Sequence, residues 1–419
     1  MSKLIIEGGS KLKGEIDVQG AKNSALPVLA ATLLGNDISV IHNCPKLSDV
    51  DAAVRILEHL GCRIQREQDT LVVDARNVDG FTIPESLMRE MRSSIVFLGA
   101  IISRMKKAVL STPGGCELGP RPIDLHLDAL KKLGVLIEDE HGFLRCQVKD
   151  KIRGTKISLS FPSVGATENI LLACVLAEGT TTIYNAAQEP EIVDLANYLN
   201  RRGANINGAG KSVITVTGVS SLHQAEHWVI PDRIVATTYL CGSVITGGEV
   251  CVHKVNTGDL QGVLTVLEQT GAQIRQGNDF VLLKMEGRPC AVKTIRTMPY
   301  PGFPTDAQAP VMAALSIAQG TSIFVENIFE SRYKHSVELN RMGADIKLEG
   351  KVAVCTGVPK LTGATVHAED LRGGAALVLA GLNAQGITIV KNIYHIDRGY
   401  EKIEADFGNL GAHISRVDE

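Results

Sequence analysis

Residues 125–137, LHLDALKKLGVLI, decide the fold. The leucines recur at helical spacing as far as Leu133, Gly134 stands where a helix ends in a left-handed cap, and Ile137 falls in a strand beyond it. The same phrase, a glycine with an isoleucine three residues on, recurs at Gly61–Ile64, Gly203–Ile206, Gly271–Ile274, Gly343–Ile346 and Gly411–Ile414. Successive glycines are 73, 69, 68, 72 and 68 residues apart. That step is regular, and it is longer than the roughly 20–50 residues of solenoid repeats. The chain reads as six copies of one folding unit.

Working outward, each copy begins with an apolar helix such as Leu26 to Leu34, which leads into a β-branched strand (Ile38 and Val40, or Thr181 and Ile183). A polar loop and a more amphipathic helix follow, as in Val50 to Leu60, and the capping glycine then opens a hairpin that ends in segments like Val213 to Thr217. The predicted order is β-α-β-α-β-β. The sixth copy reaches Glu419 without its second hairpin strand, and Leu4 to Ile6 with Lys11 to Val18 parallels Val352 to Val354 with Lys360 to Val366. Residues 1–21 are therefore expected to complete the last unit. At 419 residues the chain suggests an α/β protein of two domains with three units each, one over 22–229 and one over 1–21 and 230–419.

A formal net charge of −3 with 21% charged residues argues against bulk nucleic-acid binding, and 4% aromatic residues with one tryptophan leave little for base stacking. The nine cysteines include no CxxC pair, which favours reduced thiols and a cytoplasmic protein. No signal peptide is evident, and no apolar run reaches the roughly 18 residues of a membrane span. His223 and His227 have ligand spacing but no third partner, so no metal is expected, and the absence of a Walker loop or GxGxxG leaves no expected cofactor. No oligomeric state follows from the sequence.

If the first helices of the units pack alike, their positive N-terminal ends converge and favour anions. At that position stand Lys22, Asn23, Arg92, Ser163 to Thr167, Arg233, Asp306, Asp370 and Arg372. The loops expected beside them carry Cys116, Arg121, Glu189, Glu191, Arg332 and Arg398. A single arginine is ordinarily a solvated surface group, but repeated placement at two loop classes points to a compact polyanion, because the guanidinium fork pairs with either carboxylate or phosphate. Residues 111–126, STPGGCELGPRPIDLH, read as a glycine- and proline-rich lid with the Cys116 thiol close to Arg121. Asp306, before an apolar helix, is either a first-turn carboxylate or a proton acceptor, and Asp370 is an orienting partner of Arg372.

The sixfold unit, AKNSALP at 21–27, PGGCELGPRPIDLH at 113–126, FPTDAQAP at 303–310, and the arginines of ENIFESRYKH, DLRGGAAL and IDRGYEK resemble the enolpyruvyl transferases, specifically the UDP-N-acetylglucosamine 1-carboxyvinyltransferases. The resemblance covers essentially the whole chain. It implies two inside-out α/β barrels that close on substrate like a clamp. It also implies transfer of the enolpyruvyl group of phosphoenolpyruvate to the sugar 3′-hydroxyl by addition and elimination, an early step of peptidoglycan synthesis. By the same resemblance Cys116 is the general acid and can form a covalent adduct, and Asp306 takes the hydroxyl proton. Lys22, Arg121 and Arg398 neutralise phosphate, assisted by Arg332 and Arg372. Asn23, Arg92, the segment Arg121, Pro122, Ile123, Asp124 and Leu125, Asp306 and the backbone at Ile328 meet the UDP-sugar, while Ser163, Val164 and Gly165 line the uridine side. Phe161 departs from the lysine of some family members. The rival readings are the sister transferase acting on 3-phosphoshikimate and a non-catalytic scaffold for a polyanion; the cysteine lid favours the sugar-nucleotide enzyme.

Overall fold

The computed structural model describes residues 2–111 and 123–418. Among them the strands form six four-stranded sheets, all with the first, second, fourth and third strands of a unit side by side. The sheet of Lys156–Ser158, Thr180–Tyr184, Val213–Thr217 and Asn205–Asn207 shows the rule: the first two strands are parallel and the rest antiparallel. A parallel pair needs a crossover, and the helix Val164–Cys174 supplies it. The helix Pro190–Arg201 then leads to the hairpin.

The capping glycines behave as their spacing predicts. Gly61, Gly134, Gly203, Gly271, Gly343 and Gly411 all have φ between +89° and +105°, where a β-carbon is penalised. The residue after the glycine reaches back to the helix, as in Cys62 N–H to Leu57 O at 3.0 Å and Ala412 N–H to Phe407 O at 2.9 Å, which closes the Schellman pattern. Strands such as Thr180–Tyr184 and Val213–Thr217 alternate buried and open residues, so one face packs inward and the other meets water.

One compact unit holds the described residues from Gly20 to Ile230, and the other holds those up to Gln19 and from Pro231 onward. Each has its own hydrophobic cluster. In the second unit the helices Arg233–Thr246, Thr305–Leu315 and Leu371–Asn383 pack on one another and are buried on all sides. In the first, Phe97–Met105 packs on both Lys22–Ala31 and Val164–Cys174. This is the inside-out arrangement: apolar helices at the centre and sheets outside. Gly99 permits a close helix approach, since a β-carbon there would lie 2.4 Å from the Asn169 carbonyl oxygen.

The N-terminal segment divides its work, contrary to the expectation for residues 1–21. Lys3–Glu7 lies antiparallel between Ile387–Lys391 and His413–Val417 and completes the sixth sheet. Lys13–Asp17 instead pairs parallel with Glu249–His253, opening the fourth. The match of Ile16 and Val18 to Thr365 and Val366 already carried this difference, because Thr365–His367 is also the first strand of a unit. The first unit closes in the same way: Glu226–Trp228 pairs parallel with Ile38–His42.

Candidate active site

Cys116, Arg121 and Pro122 lie outside the described residues, as does the side chain of Arg92. The remaining expected residues are divided between the two units.

In the unit of residues 231–419, Asp306 sits in the first turn of Thr305–Leu315 without capping it. Its Oδ1 accepts from Arg332 Nη2 at 3.0 Å, and its Oδ2 accepts from Arg372 Nε at 3.4 Å. The Arg332 and Arg372 side chains are 3% and 2% exposed, against 28% for Asp306, so two buried cations share one accessible carboxylate. Arg372 Nη1 also donates to the Tyr400 hydroxyl at 3.3 Å, which lies 2.8 Å from Thr238 Oγ1. Burial opposes the Arg372 charge, but Tyr400, Asp306 and Asp232 outweigh it and push its pKa above the ordinary guanidinium value. This chain of contacts ties the opening turns of Thr305–Leu315 and Leu371–Asn383 to Thr238 in the second turn of Arg233–Thr246.

Asp370 is the cap of Leu371–Asn383: Oδ1 accepts from Arg372 N–H at 2.9 Å and Gly373 N–H at 3.0 Å. It thus orients the turn that bears Arg372. Ile328 N–H donates to Glu326 Oε1 at 2.8 Å. Arg398 closes the short helix Ile393–Arg398 and is half-buried.

In the unit of residues 20–230, Lys22 begins its helix with Nζ 3.0 Å from Asp49 Oδ2, both side chains being buried. Asn23 beside it is half-buried. Ser163 caps Val164–Cys174, its Oγ accepting from Ala166 N–H at 3.3 Å. Gly165 lies against the His126 ring, where a β-carbon would approach to 3.0 Å. Ile123 stands at the cap position of Asp124–Lys132, and its carbonyl accepts from His126 and Leu127 N–H; Asp124 and Leu125 occupy the first turn. His223 and His227 do not converge: the first contacts the Gln224 carbonyl and the second pairs with Asp194 at 3.0 Å. Among the described residues no group of three or more His, Cys, Asp or Glu could hold a metal ion.

Several neighbours escaped sequence reasoning. Asp49 pairs with Lys22 across 27 residues. His126 Nδ1 lies 2.8 Å from Asn169 Nδ2, and burial pushes its pKa down to about 4 against the opposing pull of Asp124. Glu168, on a helix that reads as apolar, has its pKa raised well above the usual carboxylate range by burial and then by Glu191 and Glu189. A polar residue inside an otherwise apolar helix was the one available signal for Glu168 and Asn169.

The family model described as EPSP synthase (3-phosphoshikimate 1-carboxyvinyltransferase) matches residues 6–407. UDP-N-acetylglucosamine 1-carboxyvinyltransferase 2 of Caldanaerobacter subterraneus subsp. tengcongensis is 55% identical over 417 residues, covering 100% of both chains. UDP-N-acetylglucosamine 1-carboxyvinyltransferase 1 of Carboxydothermus hydrogenoformans is 48% identical over 419 residues, covering 100% of this chain and 99% of its own. Among solved structures, the enolpyruvyl transferase NikO from Streptomyces tendae superposes with a TM-score of 0.89 at 25% identity over 99% of both chains. EPSP synthase from Acinetobacter baumannii, at 18% identity and a TM-score of 0.78 over the whole of both chains, shares the fold. With full-length identity near half to the sugar-nucleotide enzymes, this chain belongs to the enolpyruvyl transferase family, among the UDP-N-acetylglucosamine 1-carboxyvinyltransferases.

Proposed function

We infer that the protein transfers the enolpyruvyl group of phosphoenolpyruvate to the 3′-hydroxyl of UDP-N-acetylglucosamine and releases phosphate, the first committed step of peptidoglycan synthesis. The observation that carries the reading is the full-length identity to relatives bearing that name, at 55% and 48%. The shikimate alternative rests on the name of the family model and on a fold shared at 18% identity, and is the weaker reading.

The chemistry divides into two steps. In the addition, the sugar oxygen bonds to C2 of phosphoenolpyruvate, Asp306 takes the hydroxyl proton, and Cys116 protonates the C3 methylene. Cys116 can alternatively hold the pyruvate unit as a covalent adduct. In the elimination, C3 loses a proton as the C2–O bond to phosphate breaks. Asp306 starts paired with both guanidinia, and its oxygens must be freed from that pairing before one can take a proton. Substrate carboxylate and phosphate would compete for the Arg332 and Arg372 guanidinia, and the carboxylate released in this way becomes a better proton acceptor. Lys22, Arg121 and Arg398 neutralise the phosphate, while Arg332 and Arg372 hold carboxylate and developing charge. Asn23, Arg92, residues 121–125, Ser163, Val164, Gly165 and Ile328 contact the sugar nucleotide, with Asp370 orienting Arg372.

No helix among the described residues is long and apolar enough to cross a membrane. The eight described cysteines are all free, which supports a reducing cytoplasmic setting. Replacing Cys116 with alanine tests the assignment of roles: turnover and alkylation by epoxides resembling phosphoenolpyruvate are both expected to vanish. Full turnover in the alanine variant would remove Cys116 from the mechanism.

A further inference from the structure

His335 stands three residues after Arg332 and opens the helix His335–Arg341, which packs on Leu371–Asn383. It is 2% exposed, and neither ring nitrogen is aligned for a hydrogen bond. Two further polar atoms are buried nearby without a hydrogen bond among the described residues, Arg332 Nε and Asp370 Oδ2. A β-carbon on Gly373 would lie 2.7 Å from Asp370 Oδ2 and 3.0 Å from the His335 β-carbon, so both side chains flank the bare face of Gly373. Buried polar atoms are costly unless paired, and three such groups in one place call for an explanation beyond packing. They are chemically complementary: Asp370 Oδ2 is an acceptor without a donor, and an uncharged imidazole always has one N–H to give. Burial, with the Arg332 guanidinium, outweighs Asp370 and the Arg332 backbone and pushes the His335 pKa down to about 4.

We propose that His335 is a positioning residue for the arginine pair: its imidazole, turned to donate to Asp370 Oδ2, holds the loop bearing Arg332 against the turn bearing Arg372. It thereby sets the spacing of the two guanidinia that converge on Asp306. The proposal rests on the reading of Arg332 and Arg372 as substrate-binding groups. With the ring turned toward Asp370, whose other oxygen already caps the Arg372 helix, the loop and the helix start move as one piece.

The test compares His335→Leu, His335→Asn and His335→Gln with Arg332→Ala, all in the full chain, by phosphate release and thermal melting. Leu fills the space and removes a buried polar group, so its melting temperature is expected to stay level or rise. Its KM for phosphoenolpyruvate should rise, and its kcat fall, by about tenfold each, because the guanidinia lose their spacing. Asn and Gln keep an amide N–H near the two ring-nitrogen positions, and one of them is expected to recover turnover to within about threefold of wild type. Wild-type kinetics in His335→Leu, or failure of both amides to recover activity, would overturn the proposal. If Leu does not fold, the two amide variants decide the matter by the same criterion. Loss of turnover in Arg332→Ala beside normal turnover in His335→Leu sinks this inference alone, whereas full turnover in Arg332→Ala sinks the reading of the arginines and this inference with it.

Discussion

Asp306 carries the heaviest load in the site, and its replacement by asparagine or alanine separates structure from chemistry. Its oxygens lie 3.0 Å and 3.4 Å from the two guanidinia. At the effective dielectric of a protein, each such pair has a gross attraction of about 5 kcal/mol, much of it cancelled by the cost of desolvating the arginines. Breaking a fully buried pair costs about 3–5 kcal/mol, but the Asp306 side chain is 28% exposed and solvent screens it. We therefore expect Asp306→Asn to lose about 2 kcal/mol of stability, and Asp306→Ala somewhat more because no amide oxygen remains. For a unit of this size that is a melting-temperature fall of about 4–8 °C. Inorganic phosphate should restore much of the loss by occupying the vacated guanidinia, since a ligand that binds only the folded state stabilises it. Turnover should fall by about 10²–10⁴, the usual contribution of a positioned base, while the KM for phosphoenolpyruvate holds level or drops because a competing anion has gone. Continuous phosphate-release kinetics and thermal melts with and without phosphate read both effects. Asp306→Asn turning over at the wild-type rate while melting early would show that the carboxylate only braces the arginines and would refute the proton-acceptor role.

Three further outcomes follow from buried groups. Glu168 has a raised folded pKa, so the stability tied to its protonated form is present below its unfolded pKa and is lost as pH rises through the folded value. Glu168→Gln should raise the melting temperature at pH 8 more than at pH 5, and an equal gain at both pH values would contradict the assignment. His126 has a folded pKa of about 4 against an ordinary value of 6.5, so between them the unfolded chain binds the proton that the folded chain refuses. Stability should fall by up to about 3 kcal/mol as pH drops through that window, and His126→Gln should flatten the fall in denaturant titrations. Gly99→Ala would force a β-carbon to within 2.4 Å of the Asn169 carbonyl oxygen, a backbone atom that cannot swing aside. About 2–3 kcal/mol of destabilisation is expected, and a wild-type melt would show that the two helices have slack there.

The architecture was legible because one backbone requirement is repeated six times. A left-handed cap needs glycine, and all six glycines take positive φ. The same requirement operates at the ends of the second strands, where Asn43, Asn185, Lys254 and Asn392 also take positive φ. This second signal was readable at the asparagines, which tolerate the conformation, and obscured at Lys254, which ordinarily avoids it. Arg332, Arg372 and Asp306 could be named from their places in the repeat, but not the geometry that makes one carboxylate serve two cations. Pairings between distant segments, such as Lys22 with Asp49 and His126 with Asn169, leave no periodic trace, because a single polar side chain has many partners within reach of a folded chain. Residues 13–17 are expected in the sixth unit from their parallel with Lys360 to Val366 and their place beside Leu4 to Ile6, whereas strand order assigns them to the fourth. Adjacency in the chain does not decide which sheet a strand joins once a unit borrows a strand from the opposite end.

The central claim is the identity of the acceptor. Phosphate release from phosphoenolpyruvate should be measured with UDP-N-acetylglucosamine and with shikimate 3-phosphate as alternative acceptors, and kcat/KM compared. Turnover with the sugar nucleotide, exceeding that with shikimate 3-phosphate by at least about a thousandfold, is the predicted result, because a site built to pair with one acceptor's polar groups leaves them unsatisfied with the other. Release with shikimate 3-phosphate alone would contradict it.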